Sequence, residues 1–303
     1  SWRCLLRRKL FILSGIALLF VLSFVWAVNV FTLKEINKNE IDVNQFIKCS
    51  DEVSSSKAQV NWQYVASIIG VQNKNNFKDV SNDEIKNIAN LFIIKDGEKY
   101  KILNLDDVLK KLEFSSKEVK RTHDYVSDLK YFGLKPSRLS PDGKYMTFID
   151  SVKNSAIYNY NKYKILPSIT IAQSILESNW GKSELSSKYN NLFGIKANNA
   201  WKGEYVNIET SEYYDQVITD KFRVYKTKAE SIQDHAKFLS ENPRYKEVLT
   251  KATYIEQAEE LQSAGYSTVS DESGNLTYKN LLIEIIQQYN LQLIDSYVQE
   301  IRE

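Results

Sequence analysis

An uncharged run of 19 residues, at positions 10–28, constrains this chain more than any other feature. An α-helix rises about 1.5 Å per residue, so a run of this length can cross the roughly 30 Å hydrocarbon core of a bilayer. Under the positive-inside rule, basic residues that flank such a run stay in the cytoplasm. The basic residues before it are Arg3, Arg7, Arg8 and Lys9. We therefore predict that residues 1–33 form a cytoplasmic basic tail followed by one transmembrane helix.

The second interpretation of this segment is a cleaved signal peptide, with Val25 and Ala27 as the small residues before the cut. The apolar run is long for a signal peptide, and the sequence Val-Trp-Ala is an imperfect cleavage site. We favour an uncleaved anchor.

Charge and cysteine content exclude several classes of protein. Residues 34–303 carry 36 basic and 38 acidic side chains and show no basic stripe, which argues against nucleic-acid binding. Cys4 and Cys49 would lie on opposite sides of a membrane and could not pair. His123 and His235 are the only histidines, which argues against a histidine-based metal site, and nothing in the sequence indicates a cofactor.

The rest of the chain divides into three segments. Residues 34–57 are polar, contain three consecutive serines and are predicted to form a short stalk. Residues 58–143 show helical spacing of apolar residues, and we expect a helical accessory module without a reactive constellation. Residues 144–303 form the predicted catalytic domain. The whole chain contains only 10 Gly and 4 Pro, which favours a mainly α fold.

One carboxyl stands out in the last segment. Pro167 opens a predicted helix at residues 169–178, and Gly181 is suited to ending it. Glu177 lies at the C-terminal end of this helix, where the helix dipole disfavours an anion. Leu176 and Trp180 can partly desolvate the carboxyl, which also raises its pKa. A protonated carboxyl can act as a general acid, although a glutamate at a helix end is most often an ordinary surface residue.

The side-chain pattern of residues 204–225 alternates between two faces, as in a β-hairpin. Val206, Ile208 and Glu212 share one face of the first strand, whereas Glu209 points to the other. We therefore expect Glu212 to face the body of the domain and Glu209 to face solvent. Later in the chain, two capping boxes predict helix starts and residues 281–289 begin a predicted long terminal helix. The capping boxes are Thr227 with Glu230, and Thr253 with Glu256.

Residues 171–181 read Ile-Ala-Gln-Ser-Ile-Leu-Glu-Ser-Asn-Trp-Gly and, with Phe148 and Ile149 before them, closely resemble the catalytic helix of glycoside hydrolase family 73. These proteins are bacterial N-acetylglucosaminidases. Further similar segments follow in the expected order, at residues 189–196, 201–203, 211–213, 221–225, 242–245 and 264–266. The resemblance covers about residues 146–292. It implies a lysozyme-like, mostly helical domain with a β-hairpin beside the cleft.

The resemblance also assigns roles to residues. It makes Glu177 the catalytic acid and Glu212 the second carboxylate; the alternative for Glu212 is an ion pair with Lys221 or Arg223 across the hairpin. The substrate-binding residues that we expect are Trp180, Tyr189, Asn191, Trp201, Tyr213 and Tyr266. For Tyr266 a packed aromatic at a helix end is equally compatible with the sequence. His235 is expected to be a packing or rim residue. The sequence departs from the family at Asn179, where glycine is usual, and at residues 267–276, which form a longer segment.

The activity that the resemblance implies is hydrolysis of the β-1,4 bond between N-acetylglucosamine and N-acetylmuramic acid in peptidoglycan, for cell-wall remodelling. The alternatives are a lytic transglycosylase of the same superfold and a non-catalytic wall-binding scaffold. A transglycosylase needs no second carboxylate, so Glu212 favours hydrolysis, and Glu177 argues against a scaffold.

The expected location is the bacterial cell membrane, crossed once, with the catalytic domain outside the cytoplasm. The expected partners are peptidoglycan glycan strands and the membrane itself. A membrane protein that positions the cleft is compatible with this arrangement, but no residue identifies one.

Overall fold

The computed structural model describes residues 35–211 and 217–301, which are mainly helical with two two-stranded antiparallel sheets. The predicted transmembrane helix lies outside the described residues. Within the described ranges, no helix has both the length and the apolar character needed to cross a membrane.

The first half of the described chain packs around its own hydrophobic core. Its helices and strands are α1 (Val43–Ser54), α2 (Trp62–Gln72), α3 (Asn82–Asn90), β1 (Ile93–Asp96), β2 (Lys99–Ile102), α4 (Leu105–Lys111) and α5 (Ser116–Leu129). Helix α2 is the centre of this core, because Trp62, Val65 and Ile68 are almost completely buried. We expected a helical module here, and the β1–β2 hairpin with its turn at Gly97 is an addition to that prediction.

The predicted stalk is wrong for residues 43–54, because they form α1 and pack against the first core. The side chain of Asp42 caps this helix by accepting a hydrogen bond from the backbone N–H of Gln45. Phe46 and Ile47 are buried on its inner face. Some of the polar residues that suggested a stalk, such as Asn44 and Lys48, are exposed on the outer face, whereas Ser50, Asp51 and Ser54 are buried.

The second half surrounds helix α7. Its helices and strands are α6 (Lys144–Tyr163), α7 (Pro167–Ser178), α8 (Glu184–Tyr189), β3 (Tyr205–Ser211), β4 (Val217–Arg223), α9 (Lys228–Glu241), α10 (Tyr254–Ser263), α11 (Tyr278–Gln288) and α12 (Gln292–Gln299). Every residue of α7 from Pro167 to Ile175 is buried, since α6, α10, α11 and α12 pack around it. The sequence permits this because the helix carries no charged residue before Glu177.

The predicted long terminal helix is divided into two. Asn290 takes a left-handed conformation, with φ of 53°, and this ends α11 before α12 begins. The Asn290 side chain donates a hydrogen bond of 2.9 Å to the carbonyl of Phe132, so a contact with the first half fixes the break.

Helix α12 and the residues after it join the two halves. Leu293 and Ile301 pack against the first core, whereas Ile294 packs against the second. The backbone N–H of Ile301 also donates to the carbonyl of Ile102 in β2, at 2.8 Å. The two cores divide between Leu129 and Leu139, close to the predicted boundary at residue 143.

The predicted β-hairpin is present as β3 and β4, with Val206 opposite Phe222 and Ile208 opposite Asp220. Val206 and Ile208 are half-buried, and Glu209 is exposed, as the alternation predicts. Residues 212–216 lie outside the described residues, and Glu212 and Tyr213 are among them.

Candidate active site

Glu177 lies in the last turn of α7, where the chain reverses sharply. Asn179, Trp180 and Gly181 follow with φ values of 48°, 60° and 73°, three consecutive residues in the left-handed region. Asn179 therefore ends the helix, two residues before the glycine that we expected to do so. The Ser178 hydroxyl accepts a hydrogen bond from the backbone N–H of Gly181 at 2.7 Å, which holds the turn beside the carboxyl.

A buried chain of hydrogen bonds orients the Glu177 carboxyl. The Tyr278 hydroxyl donates to Oε1 of Glu177 at 3.0 Å, and Nε2 of Gln173 donates to the Tyr278 hydroxyl at 3.0 Å. Gln173 and Tyr278 are 0% and 1% exposed, whereas Glu177 itself is accessible to solvent. The carboxyl therefore has a fixed orientation and an open side.

Two effects act in opposite directions on the pKa of Glu177. Desolvation by the surrounding protein is the larger effect and raises the pKa above its usual value. The hydrogen bond from Tyr278 favours the charged form and lowers it. A carboxyl with a raised pKa and an open side is suited to deliver a proton to a bound molecule.

Tyr266 lies beside this carboxyl. Its ring stacks on the ring of Tyr278, with centroids 5.5 Å apart and planes at 23°. Its hydroxyl lies 3.3 Å from Nε2 of His235. Desolvation, followed by the nearby charge of Glu177, raises the pKa of Tyr266 well above its usual value, so this residue remains a neutral phenol.

Tyr278 and Gln173 were not among the predicted site residues. Tyr278 is distant in sequence, and no local pattern marks it as a partner of Glu177. Gln173 does carry a signal, because it has the largest polar side chain of this helix before Glu177 and lies one turn before it.

Trp180, the first aromatic residue after Glu177, belongs to an aromatic cluster. Its ring centroid lies 4.6 Å from that of Tyr145, 4.9 Å from that of Tyr289 and 5.9 Å from that of Phe148. The side chain is half-buried, so part of the ring is accessible to solvent.

Asn191 is placed differently from our expectation of a substrate contact. It is 1% exposed, and its side-chain amide donates to the carbonyls of Ile195 and Arg223 at 3.1 and 2.9 Å. Its side-chain oxygen accepts from the backbone N–H of Ile195 at 3.0 Å. Both donors and the acceptor of this amide are therefore occupied by the backbone, and we correct the prediction: Asn191 fixes the loop that leads to the hairpin.

Trp201 and Tyr189 lie at the base of the hairpin and are both half-buried. The guanidinium carbon of Arg223 is 4.5 Å from the centre of the Trp201 ring, and the indole N–H donates to the carbonyl of Glu204 at 2.9 Å. Arg223 also forms an ion pair of 2.6 Å with Asp234. The charge of Arg223, which we had considered as a partner for Glu212, is thus engaged by Asp234.

The described residues contain no group of three His, Cys, Asp or Glu side chains that could hold a metal ion.

Comparison with known proteins finds a similarity over the same region. Residues 153–291 match the family model for "Glucosaminidase: Mannosyl-glycoprotein endo-beta-N-acetylglucosaminidase". Exo-glucosaminidase LytG of Bacillus subtilis (strain 168) is 43% identical over 157 residues, which cover 49% of this chain and 53% of that protein. Peptidoglycan hydrolase FlgJ of Escherichia coli (strain K12) is 38% identical over 116 residues, which cover 36% and 37%. The chain therefore spans about half or less of the length of these relatives.

Among solved structures, the glycoside hydrolase domain of Salmonella typhimurium FlgJ is 33% identical, with a TM-score of 0.40. The similarity covers 48% of this chain and 87% of that domain.

The region that matches the family model includes Glu177, both tyrosines beside it and the β3–β4 hairpin. The segments that resembled glycoside hydrolase family 73 in the sequence supply Glu177 and Tyr266, whereas Tyr278 lies outside them. Residues 153–291, slightly less than half of the chain, are thus similar to the glucosaminidase family, and the same region carries the resemblance to glycoside hydrolase family 73.

Proposed function

We propose that this chain is a glycoside hydrolase that cleaves the β-1,4 bond between N-acetylglucosamine and N-acetylmuramic acid in peptidoglycan, for cell-wall remodelling. The observation that carries the proposal is the state of Glu177: a solvent-accessible carboxyl at a helix end, oriented by Tyr278, with a pKa raised by desolvation. The match of residues 153–291 to the glucosaminidase family model supports the same chemistry.

In the proposed mechanism, Glu177 protonates the glycosidic oxygen as the bond breaks. A second carboxylate, Glu212, stabilises the positive charge that develops on the sugar or activates the attacking water. Its role is supported by sequence parity with Val206 and Ile208, whose half-buried side chains lie on the inward side of β3. We propose a lysozyme-like arrangement for this half, in which the glycan lies between the helix that carries Glu177 and the β3–β4 hairpin.

Digestion of purified peptidoglycan sacculi tests the activity. After borohydride reduction, mass spectrometry of the soluble products should find reduced N-acetylglucosamine ends. Anhydromuramic ends would replace the proposal with a lytic transglycosylase, and failure to release any fragment would favour a wall-binding scaffold.

Glu177→Gln should lower the rate of digestion at least about a hundredfold while the melting temperature stays near that of the wild type, since this is the scale of general-acid catalysis. Glu98→Gln is the matched control, because Glu98 is an exposed glutamate in the distant β1–β2 hairpin. Equal activity of the two variants would contradict the role of Glu177.

We also propose that residues 10–28 anchor the protein in the bacterial cell membrane, with the enzyme domain outside the cytoplasm. The uncharged run and its basic flank support this orientation. Cell fractionation and protease treatment of intact protoplasts should find the protein in the membrane and accessible from outside. A soluble form with a new N-terminus near Val28 would instead indicate a signal peptide. Copurification from detergent would reveal a membrane-protein partner.

A further inference from the structure

His235 has no place in the proposed mechanism, yet it is completely buried beside a residue of the site. It lies on α9, and its ring stacks on Phe193 with centroids 3.8 Å apart and planes at 9°. This stacking fixes the plane of the imidazole. In that plane, Nε2 lies 3.3 Å from the hydroxyl oxygen of Tyr266.

The protonation state of His235 follows from its surroundings. Complete burial lowers the pKa of His235 to about 3, so the ring is neutral at physiological pH and carries a single N–H. Nδ1 has no hydrogen-bond partner among the described residues. A buried N–H without an acceptor is rarer in proteins than an acceptor without a donor. The proton therefore belongs on Nε2, which points at Tyr266.

We propose that His235 is a positioning residue: its Nε2–H donates to the Tyr266 hydroxyl, and this turns the Tyr266 proton toward a hydrogen-bond acceptor oxygen of the bound sugar. The inference rests on the proposed function for the identity of the substrate. The Tyr266 oxygen receives the histidine N–H, so its own O–H must find another acceptor. Among the described residues, His235 is the hydrogen-bond partner of this hydroxyl.

Tyr278 has the same arrangement, with both its hydrogen-bond donor and its acceptor supplied by the protein. Gln173 donates to Tyr278 from behind, and Tyr278 donates forward to Glu177. Tyr266 stacks on Tyr278 and has a buried nitrogen donor behind it in the same way. The difference is that the forward acceptor of Tyr266 is supplied by the substrate.

A double-mutant cycle on the full chain in detergent separates this role from packing. His235→Gln keeps an amide N–H near the position of Nε2, whereas His235→Leu removes the donor at similar volume. We expect His235→Leu to lower kcat/KM on a soluble glycan fragment about tenfold, and His235→Gln to stay within about threefold. In a Tyr266→Phe background, His235→Leu should cause no further loss. An equal loss in that background, or an equal loss with both histidine variants at an unchanged melting temperature, would overturn the proposal.

The tautomer itself gives a second test that needs no variant at His235. Selective ¹⁵N labelling of histidine yields two sets of imidazole signals, and His123→Asn assigns them, because His123 is the exposed histidine paired with Asp106. His235 should show the Nε2–H tautomer and should not titrate between pH 5 and pH 9. An Nδ1–H tautomer would overturn the proposal even if the leucine variant failed to fold. If the wild-type protein does not digest sacculi, the proposed function is refuted. If it digests them but the effects of the His235 and Tyr266 substitutions add, only the role of His235 is refuted.

Discussion

Tyr278 donates a hydrogen bond to Glu177 across 101 positions of the chain, at 3.0 Å. This bond stabilises the ionised carboxyl, while desolvation stabilises the protonated one. The pKa of Glu177 therefore depends on both effects. A substitution at Tyr278 changes one of them and leaves the Glu177 residue in place.

Tyr278→Phe should raise the pKa of Glu177, because only desolvation remains. The proposed acid must be protonated to act, so the basic limb of the pH profile of kcat/KM should move to higher pH. Tyr254→Phe is the matched control, since Tyr254 is a buried tyrosine that hydrogen-bonds a different carboxylate, Asp51. A profile that stays in place or moves to lower pH in the Tyr278 variant would contradict this balance.

Glu212→Gln should reduce sacculus digestion severely, while Glu209→Gln should be nearly silent. Loss of a carboxylate that stabilises the developing charge costs several kcal/mol of barrier, whereas an exposed side chain such as Glu209 usually contributes within about 0.5 kcal/mol of stability. Both variants are assayed on the same substrate preparation. The reverse order would indicate a β-bulge that shifts the strand beyond Ser211 by one residue.

Asp295→Asn should change how stability depends on pH. Asp295 is completely buried and accepts hydrogen bonds from the N–H and hydroxyl of Ser168, at the start of α7. Desolvation raises the pKa of Asp295 to about 7, so between pH 3.8 and 7 the folded state holds a proton that the unfolded chain has lost. The folded state is favoured by this group at low pH, and the contribution is lost as the pH rises through that window.

Thermal melts of the wild type and Asp295→Asn between pH 4 and pH 8 measure this effect. The melting temperature of the wild type should fall relative to that of the variant as the pH rises. His235 acts in the opposite direction below pH 6.5, because its pKa in the folded protein is about 3, but both proteins retain it and the difference is unaffected. A difference that is constant with pH would show that Asp295 is ionised throughout.

Asn191→Ala should destabilise the fold by roughly 2–3 kcal/mol, because it leaves buried backbone groups of Ile195 and Arg223 without partners. The KM of the folded variant should remain close to that of the wild type. Asn198→Ala is the control, since Asn198 lies nearby on an exposed loop. Unchanged stability with a raised KM would restore the substrate contact that we expected originally.

The sequence predicts α7 and its acid because the signals there are local. A proline opens the helix, apolar residues continue it, and the glutamate comes at the end. The β3–β4 hairpin is equally local, since alternation alone separates half-buried Val206 from exposed Glu209. The partner of Glu177 is not local: Tyr278 lies 101 residues away in the sequence and reaches Glu177 only when α7 and α11 pack together.

The elements that the sequence analysis missed also depend on tertiary contacts. Helix α1 has a polar outer face that resembled a stalk, and only packing against the first core reveals its apolar side. The break at Asn290 is fixed by a hydrogen bond to Phe132 in the other half of the molecule. Periodicity along the chain cannot show such a partner.

The hydrogen bonds between Ser168 and Asp295 join positions 127 residues apart, which gives the order of biosynthesis a consequence. A ribosome adds about 5 to 20 residues per second, so the start of α7 waits roughly 6 to 25 seconds for the aspartate that holds it. Tyr278 reaches Glu177 only shortly before that. In a nascent chain, Glu177 therefore lacks these contacts until nearly all of the described residues have been made. A fragment released early would lack the geometry on which cleavage depends.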